Sequence, residues 1–215
     1  MRVSEDRYTR DRLRLDLALR LIRHEARTCT IRLWTGLSDD RIRKLYRSYV
    51  EERGPSAVRR HRGKSPRQAA YFFRNPETCF QAAQLASLFL LHGLIVAGGG
   101  GIESRYRIGA VDSGLLLCRA YEAFVDLHAP ARISFEHAWF LLAALAGRAE
   151  LDLARCTDCG GVRLRDLLAR RDPLCAHCGP RPPTAAARVA AGERGLGPLL
   201  ESARWHDAIR SRAPS

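Results

Sequence analysis

Four cysteines in the pattern Cys156-x2-Cys159-x15-Cys175-x2-Cys178 have the type and spacing that most directly specify a chemistry. Two Cys-x2-Cys pairs at this separation match a four-thiolate zinc site, each pair sitting on a tight turn that aims both sulfurs at one ion. Gly160 and Gly161 follow the first pair, and Gly179 and Pro180 follow the second, so both turns have the residues they need. Four sulfurs fill a tetrahedral shell, and the spacing therefore predicts one structural zinc per chain with no open catalytic position. His177 lies between the last two ligands and can replace one, although four cysteines make that unnecessary. The other three cysteines, Cys29, Cys79 and Cys118, fall in apolar helical stretches and are expected as core residues.

The second chemically informative feature is charge. The 215-residue chain carries a formal net charge of +13, and its sequence pI is near 10.2. The surplus is concentrated. Between positions 41 and 74 stand Arg41, Arg43, Lys44, Arg47, Arg53, Arg59, Arg60, Arg62, Lys64, Arg67 and Arg74 against only Glu51 and Glu52. Such focusing suits a surface that tracks phosphates, because each neutralised phosphate releases counterions. Residues 31–50 also read as a helix–turn–helix-like segment. Gly36 is its turn glycine, Ile31, Ile42 and Leu45 pack its two helices, and Arg41, Arg43, Lys44 and Arg47 face DNA or, alternatively, form a solvated basic face. The basic loop over 53–74 adds Arg59, Arg60, Arg62 and Lys64 as DNA-binding candidates.

No nucleophile, base and orienting residue stand at a spacing that suggests catalysis, and the expectation is a protein that is not an enzyme. The glycines at 98–101 lack a following Gly-Lys-Ser/Thr, which argues for a flexible connector over a phosphate loop. A zinc deaminase would need His-x-Glu and a Pro directly before Cys-x-x-Cys; here Leu174 separates Pro173 from Cys175. The Arg-rich start has no apolar signal region, and the apolar run over 82–97 is too short and interrupted to span a bilayer. A cytoplasmic protein with reduced thiols is expected.

The elements that must position these groups are helices. The fold expected is mainly α: a multi-helix core with a small four-cysteine zinc module near the C-terminus. A helical domain would occupy 1–150, the zinc module 151–183, and an Ala/Gly/Pro/Arg-rich flexible tail 184–215. Apolar periodicity predicts one long helix over 11–34 with apolar residues on two faces, a second helix capped by Ser38, and a buried helix over 75–94. Two more follow over 112–127 and 135–145, the latter capped by Ser134. Strand signals are nearly absent before residue 150. A short amphipathic piece with Leu199, Leu200, Trp205 and Ile209 closes the tail.

Several of these segments occur in a familiar order. The run Thr35-Gly-Leu-Ser, then Arg41-Ile-Arg-Lys-Leu-Tyr-Arg, Val111-Asp112, Arg119-Ala-Tyr, His137-Ala-Trp-Phe and the cysteine quartet with Gly160-Gly161 resembles the C subunit of the bacterial flagellar master transcriptional activator, FlhDC, over residues 10–183. The resemblance implies a helical, cytoplasmic, zinc-binding activator subunit with Cys156, Cys159, Cys175 and Cys178 as ligands. It further implies assembly with a small helical D subunit into a heterohexamer of four D and two C, which binds double-stranded promoter DNA and activates flagellar operons through RNA polymerase, with no membrane role. The sequence departs from that family where 56–65 is Arg-rich in place of Pro-rich. The alternative reading is a zinc-stabilised protein–protein adaptor without direct DNA contact.

Overall fold

A computed structural model describes residues 2–54, 58–61, 63–98, 101–169, 175 and 177–179. The expected tail over 184–215, its amphipathic piece and Arg62 lie outside the described residues. Among the described residues the fold is mainly helical. Helix α1 runs over Arg2–Arg23, α2 over Thr28–Thr35, α3 over Asp39–Arg53, α4 over Pro76–Leu91, α5 over Val111–Leu127 and α6 over Phe135–Gly147. A 3-10 turn over Ala69–Phe73 leads into α4. Two antiparallel hairpins complete the order: β1 (Ile95–Gly98) with β2 (Gly101–Ser104), and β3 (Leu151–Arg155) with β4 (Val162–Asp166).

Three helices begin where a side chain can satisfy their free N–H groups. Ser38 Oγ accepts from the Arg41 N–H, Asn75 Oδ1 from Thr78 and Ser134 Oγ from His137. Asp39 and Asp40 place negative charge in the first turn of α3, and Pro76 occupies the first position of α4, where no N–H is needed.

The single helix expected over 11–34 is broken. Arg23 ends α1, Glu25 adopts a left-handed conformation (φ 58°), and the chain restarts as α2. The break has Schellman geometry: the Glu25 N–H donates to the Ile22 carbonyl and the Ala26 N–H to that of Leu21. Periodicity continues across the corner because Leu17, Leu21 and Ile22 before it, and Ile31 and Trp34 after it, all enter the same core. Apolar spacing cannot register a turn that keeps its apolar side inward.

The glycine-rich segment also differs from expectation. The helix expected to reach residue 94 stops at Leu91, and Ile95–Gly98 pairs with Gly101–Ser104 in the register Ile95↔Ser104 to Gly98↔Gly101. The last three residues of the apolar run over 82–97 thus lie in a strand before residue 150, and Gly98 and Gly101 pair in a hairpin where a flexible connector was expected.

The core is aromatic at its centre. Trp34 is fully buried, its ring 5.0 Å from Trp139 and 5.9 Å from Tyr106, while Phe72, Phe89, Phe124 and Phe135 fill the space between α4, α5 and α6. Gly114 lets α5 approach α1 closely: a Cβ there would lie 2.6 Å from Leu17 Cδ2. The β3–β4 hairpin rests on α4 and α6, burying Leu151 and Leu164. Cys79 and Cys118 are buried as expected, but Cys29 is exposed, on the outward side of the short α2, its Sγ 3.6 Å from Ser65 Oγ. No helix among the described residues is long and apolar enough to cross a membrane.

Candidate metal centre and basic corner

The β3–β4 hairpin brings the first cysteine pair to its tip. Register runs from Leu151↔Asp166 to Arg155↔Val162, so Cys156 leaves β3 directly into the turn and Gly161 precedes β4. Two backbone bonds fix that turn: Cys156 N–H donates to the Gly161 carbonyl, and Gly160 N–H to that of Cys156. The second pair repeats the device, with Gly179 N–H donating to the Cys175 carbonyl. Gly160 (φ 69°) and Gly179 (φ 68°) both take the left-handed conformation that glycine adopts without strain. The two Cys-x2-Cys-Gly segments are therefore matching knuckles.

Their four sulfurs all lie within 4.8 Å of one another, with Cys156 to Cys178 and Cys159 to Cys175 each at 3.8 Å. A disulfide requires sulfurs about 2.0 Å apart, so these are four separate thiols. Backbone N–H groups of Cys159 and then Asp158 donate to the Cys156 sulfur and pull its pKa down to about 6, the thiolate being the favoured form there. Sulfurs this close repel one another when ionised, which is the situation a cation resolves. The cluster can hold a metal ion.

The neighbours of the quartet stay out of it. His177 points its ring edge-on at Phe80, 4.9 Å away, and the sulfur set closes without it. Cys79 on α4 sits near Cys175, but burial first, and that neighbour second, push its thiol up and keep it protonated.

The basic corner is built differently. Helix α2, the Gly36 turn (φ 69°) and α3 form a helical hairpin in which Ile31 and Ile42 are buried and Leu45 packs against the core. Arg41, Arg43, Lys44 and Arg47 are exposed along α3. Arg59, Arg60 and Lys64 are exposed on the following segment, whose described residues 58–61 and 63–68 form no helix or strand but are tied to the body at several points. Tyr46 OH donates to the Val58 carbonyl (2.9 Å), and Arg27 Nη1 to that of Gly63 (2.8 Å). Glu25 takes the Arg59 N–H on Oε1 at 3.0 Å and holds His61 Nε2 at 2.8 Å from Oε2.

The cations of this corner differ in how far they are already satisfied. Arg43 pairs with Asp40 at 2.8 Å, and Arg60 lies 5.6 Å over the Tyr46 ring. Arg41, Lys44, Arg47, Arg59 and Lys64 have no ion pair among the described residues. Elsewhere, by contrast, Arg20 is bound by Glu122, and Arg132 by Glu77. Sequence reasoning missed Glu25, Tyr46 and Arg27 as the residues that shape the corner. The only signal for Glu25 was an acid standing where the helical pattern needed none.

No protein-family profile matches the chain, and no curated protein matches it either.

Proposed function

We propose that the chain is a zinc-stabilised, DNA-binding subunit of a cytoplasmic transcriptional activator, of the kind that the likeness to the flagellar activator C subunit implies. The observation that carries this reading is the row of unneutralised cations on α3 and on the tied segment beside it. Five exposed basic side chains without carboxylate partners among the described residues form a field that phosphate would complete. Arg43 and Arg47 on α3 would read base edges in the major groove, and Arg59, Arg60, Arg62 and Lys64 would grip the backbone. A small helical D subunit and RNA polymerase are the protein partners of this reading, and flagellar operons its targets.

Zinc is the metal the quartet suits. Four thiolates about 2.3 Å from a tetrahedral zinc have edges of about 3.8 Å, the separation of the Cys156–Cys178 and Cys159–Cys175 pairs. The ion would hold Cys156, Cys159, Cys175 and Cys178 together and brace the β3–β4 hairpin, with no part in any reaction.

The deciding experiment is titration of the full chain with a duplex over a range of salt. A linear fall of log affinity with log salt, about 0.9 per phosphate contacted, supports the reading. Affinity independent of salt overturns it. One observation favours a protein-docking adaptor as a second reading: Leu167 and Leu168, just after β4, are 41% and 74% exposed beside the cysteine module.

A further inference from the structure

The loop that carries Arg59, Arg60 and Lys64 is held by hydrogen bonds of its backbone and of His61, with the Arg60 guanidinium lying over the Tyr46 ring. Val58 and Gly63 give their carbonyls to Tyr46 and Arg27, Arg59 gives its N–H to Glu25, and His61 meets the same carboxylate. The ties thus act on the backbone of the loop, and Arg59, Arg60 and Lys64 remain exposed. Glu25 is the centre of this arrangement, since its two oxygens hold two residues flanking Arg60 at once.

The backbone at Glu25 sharpens the point. A chain reversal after α1 that needs φ near 58° is most easily made by glycine, and an L side chain is strained there. From this corner the carboxylate meets the Arg59 N–H on one oxygen and the His61 ring on the other. Its charge has the wrong sign for a surface that attracts phosphate: as a bare charge it weakens anion binding. The geometry points to Glu25 as a positioning residue for the phosphate-binding loop, acting through its two hydrogen bonds and in opposition to its own charge. This inference rests on the DNA-binding reading given above.

Charge and positioning predict opposite results, and two variants separate them. Glu25→Gln and Glu25→Ala both remove the negative charge. Gln keeps an oxygen for the Arg59 N–H and offers an N–H to His61; Ala keeps neither. We would measure duplex affinity across a salt series for the wild type and both variants, with amide hydrogen exchange at Arg59 as a readout independent of DNA. Expected for Glu25→Ala are at least tenfold faster exchange at Arg59 and a salt slope shallower by about 1–2 units, the loss of one or two phosphates at about 0.9 each. Glu25→Gln should exchange as the wild type does and bind as well or better. His61→Ala, which removes one of the two ties and leaves the α1–α2 corner intact, should fall between them and serves if Glu25→Ala does not fold.

Unchanged exchange at Arg59 in Glu25→Ala and His61→Ala would overturn the inference, whatever happens to binding. So would Glu25→Ala binding as tightly as Glu25→Gln with the same slope, which would mean that only the charge matters. A wild type without salt-dependent affinity would overturn the DNA reading itself, and the role in DNA binding with it. The exchange data distinguish that result from failure of the tie alone.

Discussion

The cysteine hairpin and the basic corner solve the same problem in opposite ways. Each must fix a stretch of chain with little regular structure. In the hairpin, residues 156–161, 175 and 177–179 converge on four sulfurs in one small volume, and a single ion can take all the holding. In the corner, Val58, Arg59, His61, Gly63 and Ser65 are held by separate, weak ties to Glu25, Arg27, Cys29 and Tyr46, drawn from three parts of the chain. The difference teaches where robustness lies. With an ion bound, its removal would undo the first, whereas the second would lose shape one tie at a time and keep its cations exposed.

The sharpest way to test that contrast is to take the metal away, and the expected effect is the largest. Structural zinc binding contributes about 10–16 kcal/mol of folding energy in small modules. A strong chelator should therefore melt β3–β4 and expose Leu151 and Leu164, while α1–α3 keep their helical signal. Amide exchange resolved by segment checks this. Cys156→Ser should do the same without chelator and lower the metal content well below one equivalent. If the whole chain unfolds together, the hairpin is part of the body's cooperative unit and the contrast between the regions fails.

Next in size is the charge of the corner. Replacing Arg59, Arg60 and Lys64 together by Gln should weaken binding to all duplexes alike and flatten the salt slope by about 2–3 units, at about 0.9 per phosphate. Melting should hardly change, because none of these side chains has an ion pair among the described residues. A preserved slope, combined with lost binding on changing Arg163 and Arg165 of β4, would move the nucleic-acid surface to the hairpin.

The two regions also differ in how far the sequence revealed them. The cysteine quartet was legible because its spacing is local: each knuckle is five residues long and ends in a glycine with the required φ. The caps Ser38 and Ser134 were legible for the same reason, as each bonds a residue three positions on. The α1–α2 corner was not, since its left-handed residue is a glutamate and the apolar pattern runs through it unbroken. The β1–β2 hairpin was hidden by Ile95 and Val96, which extend the apolar run of α4 without a period that separates strand from helix. Cys29 was misplaced because an eight-residue helix has an outer side that periodicity assigned to a longer one. Ties over 34–36 residues, such as those from Glu25 and Arg27, leave no mark in local composition.

A third test uses pH, and it acts between the corner and α6. His137 stacks on Tyr71 at 3.7 Å, and burial, then Arg74 and Arg27, lower its pKa from 6.5 to about 4. The folded imidazole stays neutral while the unfolded one gains a proton, so stability is present above about pH 6.5 and falls as pH drops toward 4. Burial also lowers His24, which adds to the same trend. With solvent screening of the half-buried His137, the loss is about 1–2 kcal/mol. His137→Gln should flatten the stability profile over that window, as followed by thermal melting. An unchanged profile would assign the acid sensitivity to other groups.

The smallest effect is expected at Ser38, and it tests whether the corner's ties are as independent as the contrast requires. Its Oγ accepts from the Arg41 N–H at a long 3.4 Å, against 2.8 Å for Asn75 and Thr78 at the start of α4. Ser38→Ala should then cost about 0.5–1 kcal/mol, at the low end for a lost cap, and Asn75→Ala about 1 kcal/mol or slightly more. A loss that small leaves almost all molecules folded, so duplex affinity should stay within about twofold of wild type. Arg41 is the residue whose N–H is capped, and its side chain is one of the α3 cations with no ion pair among the described residues. Should Ser38→Ala weaken binding severalfold while melting shifts only slightly, the first turn of α3 would be fraying and carrying Arg41 away from the phosphates. The corner would then depend on its caps as steeply as the hairpin would on a bound ion.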